Sequence, residues 1–215
     1  MKGFNKWAIV KGLLISVSVF FISCAQVVSP NGGERDVSPP KLQKSVPING
    51  ATNFKGNKLQ LQFDEYITLK DINNQLLISP PLKEIPDAQV KNKNLLLEFK
   101  DSLKPNTTYT FSFGNSIVDF TESNALENFQ FVFSTGPLID SLSLSGQVTR
   151  AFNLAPEKGI YVLLYDIKKT EKDSFPYYEL PDYFGKTNEF GSYRINHVRA
   201  GEYKVFALKD GNSNY

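Results

Sequence analysis

Three segments of this chain alternate apolar and polar residues so regularly that only β-strands fit them. Leu59, Leu61 and Phe63 alternate with Lys58, Gln60, Gln62 and Asp64. Tyr109, Phe111 and Phe113 alternate with Thr108, Thr110 and Ser112, and Phe129, Phe131 and Phe133 with Gln130, Val132 and Ser134. A period of two puts one set on one face of a strand, so each segment is expected to bury one face and wet the other. Shorter apolar runs, Asn74 to Ser79 and Asn94 to Phe99, read as further strands. Turn chemistry separates them at residues 47–50 (PING), at Pro80-Pro81 and at residues 104–107 (KPNT). No helical pattern reaches three turns. About seven short strands at this spacing predict an antiparallel sandwich over residues 38–136.

A second strand-rich segment follows a short linker, Pro137 to Leu142. It opens on SLSGQVTRA, continues through GIYVLLYDIKK (159–169) and closes on GEYKVFALK. Asn188-Glu189-Phe190-Gly191 and Arg199-Ala200-Gly201-Glu202 read as hairpin turns. The fold class expected of the whole is all-β, with two tandem antiparallel β-sandwiches.

Longer motifs sharpen both halves. The order P-x-N-G-A, F-x-E, L-x-P-N-T-x-Y, I-x-D and F-x-F-S-T-G runs through residues 38–136. In that order it resembles a bacterial Ig-like domain of the SbsA type. The resemblance implies a spacer or binding module of surface proteins, without catalytic residues. In residues 142–215 the G-x-V opening, a T-x-x-x-G-x-Y turn and the ending G-x-Y-x-V-x-A-L-x-D resemble the carboxypeptidase regulatory-like domain, a non-catalytic transthyretin-like sandwich. In that family a D-x-N-x-N turn leads to a further strand. Asp210, Asn212 and Asn214 match the turn, so the second domain is expected to be truncated.

The first 23 residues follow another logic. Lys2, Lys6 and Lys11 are their only charges, and residues 12–22 (GLLISVSVFFI) are apolar or small. A membrane-spanning helix needs about 20 apolar residues, so this run reads as the h-region of a secretory signal peptide. Phe21-Ile22-Ser23 before Cys24, the chain's single cysteine, resembles a bacterial lipobox. The resemblance implies cleavage before Cys24 and lipidation of its thiol, with residues 24–37 as a tether. Two or more acyl chains anchor a protein stably where one does so only marginally. Ala25 follows the cysteine where Asp would favour inner-membrane retention, which points to the outer membrane of a Gram-negative cell envelope.

Composition narrows the chemistry. The chain carries 24 basic and 22 acidic residues. Loss of the three signal-peptide lysines leaves a net charge of −1 and no basic run, which argues against nucleic acid as a partner. His197 is the single histidine, so any catalytic triad would have to use it, Cys24 is taken up by the anchor, and a zinc site would lack ligands; a structural role is expected of it. Gly32-Gly33 is no phosphate loop, since no helix follows it. No cofactor is expected.

Weaker candidates remain. Asp119, Glu122 and Asn124 share one loop, and Asp210, Asn212 and Asn214 are spaced like the first ligands of a calcium loop. Asp and Asn also make such turns by bonding their own backbone, and that reading is preferred for both groups. Tyr177, Tyr178, Tyr183 and Phe184 cluster between strands as possible ligand contacts, or as cover for the second sandwich. The function expected is a non-enzymatic, lipid-anchored envelope protein that uses its sandwiches for spacing, adhesion or binding of a protein or glycan. The alternative is a hydrolase, or an accessory subunit of a glycan-degrading system, with catalysis from carboxylates. Intact-mass analysis of membrane-extracted protein is expected to show a chain beginning at Cys24 with added acyl mass, and Cys24→Ser to release the protein or leave it uncut. A free thiol on Cys24 would contradict this.

Overall fold

The computed structural model describes residues 33–168, 176 and 178–209. The expected signal peptide, Cys24, most of the expected tether, Tyr177, Asp210, Asn212 and Asn214 lie outside the described residues. The fold is all-β. In chain order the first part holds β1 (Leu42–Val46), β2 (Lys58–Phe63), β3 (Ile67–Leu69), a one-turn helix α1 (Ile72–Gln75), β4 (Leu77–Ser79), β5 (Asp87–Lys91), β6 (Asn94–Glu98), β7 (Thr108–Ser112), β8 (Ile117–Asp119) and β9 (Gln130–Ser134). The second part holds β10 (Leu142–Gln147), β11 (Tyr161–Asp166), β12 (Tyr183–Lys186), β13 (Ser192–Val198) and β14 (Tyr203–Leu208).

The first part is a sandwich. One sheet has the order β1-β2-β6-β5, the other β4-β7-β9, and β3 pairs with β8 beside them. All these pairings are antiparallel. The alternation read from the sequence is what closes it. Leu59, Leu61 and Phe63 of β2 and Leu95 and Leu97 of β6 share one core with Phe111, Phe131 and Phe133 from the opposite sheet, all fully buried. Phe133 is the centre of an aromatic group, with ring centroids 4.5 Å from Phe54 and 5.6 Å from Phe111. Each such side chain contributes about 1.5–3 kcal/mol by leaving water. The run Asn74 to Ser79 is not one strand: its first residues close the turn of α1, and only Leu77–Ser79 pairs with β7.

One expectation fails on β7. The period-two pattern predicts a wet outer face, yet Thr108 and Thr110 are as buried as Tyr109 and Phe111. The reason is tertiary, because the second part of the chain packs there.

In that second part, β12-β11-β14 forms one sheet and β10-β13 another. Val162, Leu164, Tyr183, Ile195 and Val198 fill the space between them. The other face of β11 is covered too: Tyr161, Leu163 and Tyr165 are buried in a cluster that takes in Leu77 of the first sandwich. The turn at Asn188–Gly191 forms, with Asn188 Oδ1 accepting the Phe190 and Ser192 N–H groups and Gly191 at φ +69°. The turn expected at Arg199–Glu202 is not a hairpin. β13 pairs with β10 while β14 pairs with β11, so the chain changes sheets at this corner, with the Tyr203 hydroxyl donating across it to the Arg199 carbonyl.

Phe111→Ala is expected to cost about 3–5 kcal/mol, while the exposed Gln60→Ala stays within about 0.5 kcal/mol. Urea titration of the two variants checks the register, and equal effects would refute it.

Candidate functional site

The candidate site is the seam where the outer face of β4-β7-β9 meets β12 and β13. Its first-sandwich side is mostly hydroxyls and amides, with Leu77 and Gly114 among them, and its second-sandwich side is Phe184, Gly185, Lys186, Arg194, Ile195 and Asn196.

Three contacts lock the seam. The Phe184 N–H donates to Ser79 Oγ at 3.2 Å. His197 Nδ1 lies 2.9 Å from Thr110 Oγ1. Asn196 Nδ2 donates to Gln130 Oε1 at 3.0 Å, and Gln130 Nε2 donates on to Ser112 Oγ at 3.0 Å. A β-bulge makes the last two possible. Leu142 pairs with Val198 but Leu144 pairs with Ile195, so Ser143 faces two residues, Asn196 and His197. Such an extra residue re-aims side chains. Within the bulge His197 takes a left-handed φ of +58°, a conformation that costs a non-glycine residue of order 1–3 kcal/mol.

The linker is pinned as well. Thr108 Oγ1 donates to Asp140 Oδ2, the Asp140 N–H donates back to Thr108 Oγ1, each at 2.9 Å, and Arg199 reaches both Asp140 Oδ1 and the Asn106 carbonyl.

Beside these contacts opens a cleft of about 250 Å³. Gly185 sits in its wall because β12 and β13 approach closely there: an added Cβ would lie 2.9 Å from Ile195 Cγ1. Lys186 and Arg194 line the cleft. Lys186 Nζ stands 4.8 Å from the centre of the Tyr161 ring and 3.2 Å from its hydroxyl. Arg194 Nε donates to Asn196 Oδ1 at 2.9 Å, and its Nη2 to Ser143 Oγ at 3.2 Å. Neither cation has an ion-pair partner among the described residues. The described lining contains no carboxylate.

The residues singled out in the sequence are distributed differently. Tyr178 is exposed, but Tyr183 and Phe184 belong to β12 and are buried, so they do not form an exposed aromatic platform with it. Tyr183 helps fill the core, edge-on to Tyr203, and its hydroxyl accepts the Arg199 N–H at 3.3 Å. Phe184 reaches the cleft wall.

Asp119 is buried and spends its carboxylate locally. Oδ1 accepts the N–H groups of Glu122 and Ser123, at 2.6 and 3.0 Å, and Oδ2 that of Asn124, at 2.7 Å. Burial pushes its pKa up, the backbone donors outweigh burial, and the carboxyl ends below its ordinary value. This is turn chemistry. The Asn124 amide donates to the Asp36 carbonyl, and among the described residues no group of three or more His, Cys, Asp or Glu side chains is arranged to hold a metal. Nearby, burial together with Asp119 and Asp64 pushes the Glu65 carboxyl up.

Sequence reasoning missed Lys186, Arg194, Gln130 and Asn196. One signal was present. The outward positions of β7 carry Thr108, Thr110 and Ser112, small hydroxyls without charge, whereas outward positions of β2 carry Lys58 and Gln60.

The comparisons agree with this geometry for the first sandwich. Residues 36–135 match the bacterial Ig-like domain family, so the chain contains an Ig-like domain, a β-sandwich module typical of surface and envelope proteins. No curated protein matches the sequence. Among solved structures, an L,D-transpeptidase from Mycobacterium smegmatis is similar at 12% identity and TM-score 0.32, over 77% of this chain and 79% of that one. The T6 backbone pilin of Streptococcus pyogenes is similar at 11% identity and TM-score 0.25, over 72% of this chain and 44% of that one. The major pilin subunit BcpA of Bacillus cereus is similar at 11% identity and TM-score 0.25, over 79% and 59%. Likenesses this low carry no argument about function.

Burial holds the His197 imidazole below its ordinary pKa, against the opposing pull of Asp140. The neutral ring is the form that fits the seam. Its contribution to stability is therefore whole above about pH 6.5 and is lost as pH falls from there through the lower folded-state value. Thermal melts between pH 8 and 5 are expected to drop below that point. His197→Asn, which tolerates the left-handed φ and does not titrate, is expected to remove this part of the drop. An unchanged profile would sever His197 from it.

Proposed function

We propose that the protein is a non-enzymatic, lipid-anchored component of the bacterial cell envelope whose two β-sandwiches act as one binding unit. The observation that carries this reading is the seam. Its polar contacts and the shared burial of Leu77 tie the second sandwich to the outer face of the Ig-like domain, and a cleft opens between them. Two independent modules joined as a spacer would not need Asp140 pinned to Thr108 and Arg199.

The cleft's chemistry supports binding over hydrolysis. Glycoside hydrolysis uses two carboxylates flanking the bond to be cut, whereas Lys186, Arg194, Gln130 and Asn196 offer cations and amides. Anchoring rests on the basic residues, the short apolar run and Cys24 in that order, with the following residues as tether. The outer membrane is the proposed location, and an envelope protein or glycan the proposed partner.

Fractionation is expected to recover the protein from outer membranes by detergent and not by salt. The detergent-extracted full chain is expected to turn over no substrate in a glycosidase panel and to retain ligands on an array of envelope glycans. Recovery in the soluble fraction would overturn the anchor, and turnover would overturn the non-enzymatic reading.

A further inference from the structure

We infer that the cleft between the two sandwiches binds a carboxylate-bearing sugar, such as a uronic acid residue of an acidic glycan. This rests on the reading of the chain as a binding protein and names the ligand class of that same site.

The charge pattern comes first. Around the cleft the described charged side chains are Lys186 and Arg194, both cationic and both without an ion-pair partner among the described residues. Residues 24–215 carry slightly more acid than base, so a wall whose described residues include two cations and no carboxylate departs from that average. Arg194 uses Nε and Nη2 on Asn196 and Ser143, which orients the guanidinium and leaves further N–H groups. A planar guanidinium suits a carboxylate, and an ammonium beside it adds charge without directional demand.

The remaining lining selects among anions. Gln130 and Asn196 are side-chain amides and Ser112 a hydroxyl, held in one hydrogen-bonded series. Amides and hydroxyls both donate and accept, as the ring hydroxyls of a sugar require. Bare phosphate is more often held by successive backbone N–H groups or a helix N-terminus, and among the described residues the helix at this cleft is the single turn of α1. A neutral sugar is usually held by an exposed aromatic face, but Phe184 is 4% exposed and already packed at 6.1 Å against Tyr161. The volume, about 250 Å³, lies just below the usual range for small-ligand pockets and suits a single sugar ring of a chain that continues into solvent.

The test is calorimetric titration of the detergent-extracted full chain with a galacturonic acid trisaccharide. Controls are the trisaccharide's methyl ester, inorganic phosphate and a hexaglutamate peptide. The acid trisaccharide is expected to bind, and its uncharged ester to bind at least about tenfold more weakly, since the ester cannot form the charge-assisted bonds. Lys186→Gln and Arg194→Gln are each expected to weaken binding by about tenfold or more in a chain that still melts cooperatively, and Lys186→Arg to retain most of it. No binding of the acid trisaccharide, equal binding of its ester, or tighter binding of phosphate or hexaglutamate would overturn the inference. Chromatography of the titrated sugar separates this from the functional reading: cleaved trisaccharide would support the ligand class while refuting the non-enzymatic role.

Discussion

The structure depends on a sheet face that is buried without being apolar. Ser79, Thr108 and Thr110 point away from the aromatic core of the Ig-like domain, yet each is at most 8% exposed. A buried hydroxyl without a partner costs about 1–3 kcal/mol. Here each has one: the Phe184 N–H, Asp140, and His197. Among the described residues no buried side-chain nitrogen or oxygen lacks a hydrogen bond. A greasy face would have allowed the second sandwich to slide. Directional bonds admit one register, and the bulge at His197 is the local distortion that reaches it.

The dependence is unequal. The Ig-like core closes on itself, with Phe111, Phe131 and Phe133 packed against Leu59 and Leu97 from its own opposite sheet. β11 has no such independence. One face packs on Ile195 and Val198, while the other, Tyr161, Leu163 and Tyr165, shares its cluster with Leu77 of β4. The second sandwich thus borrows part of its cover from the first, and the pinned Asp140 keeps the two within reach. The cleft lies beside those fixed contacts, lined from both sandwiches.

Charge is sorted in the same way. Burial first, and then the carboxylates of Asp119, Asp64, Asp36 and Glu122, raise the pKa of Glu65, while Lys186 and Arg194 line the cleft. A net charge close to zero conceals both groups. Of the acids, Asp119 is committed to its own loop, which turns a residue type that suggests metal binding into a structural one.

Much of this fold was legible in the sequence, for a physical reason. Strand identity, the apolar faces of β2, β7 and β9, and the turn at Asn188–Gly191 arise from interactions between residues near in sequence, or from a period that one buried face imposes on any strand. The preference of Asp119 for its own backbone was legible on the same ground. The sequence alone also determined the order of basic residues, apolar run and Cys24 on which anchoring is proposed. What the tertiary structure decided is what covers the outer face of β7, that β13 and β14 lie in different sheets, that Tyr183 and Phe184 turn inward, and that Lys186 and Arg194 come to line one cleft with Gln130. Those outcomes join residues far apart in the chain, Thr110 with His197 and Ser79 with Phe184. Local periodicity carries no record of such pairings, because a hydroxyl satisfied by water and one satisfied by a distant strand occupy the same place in an alternating pattern.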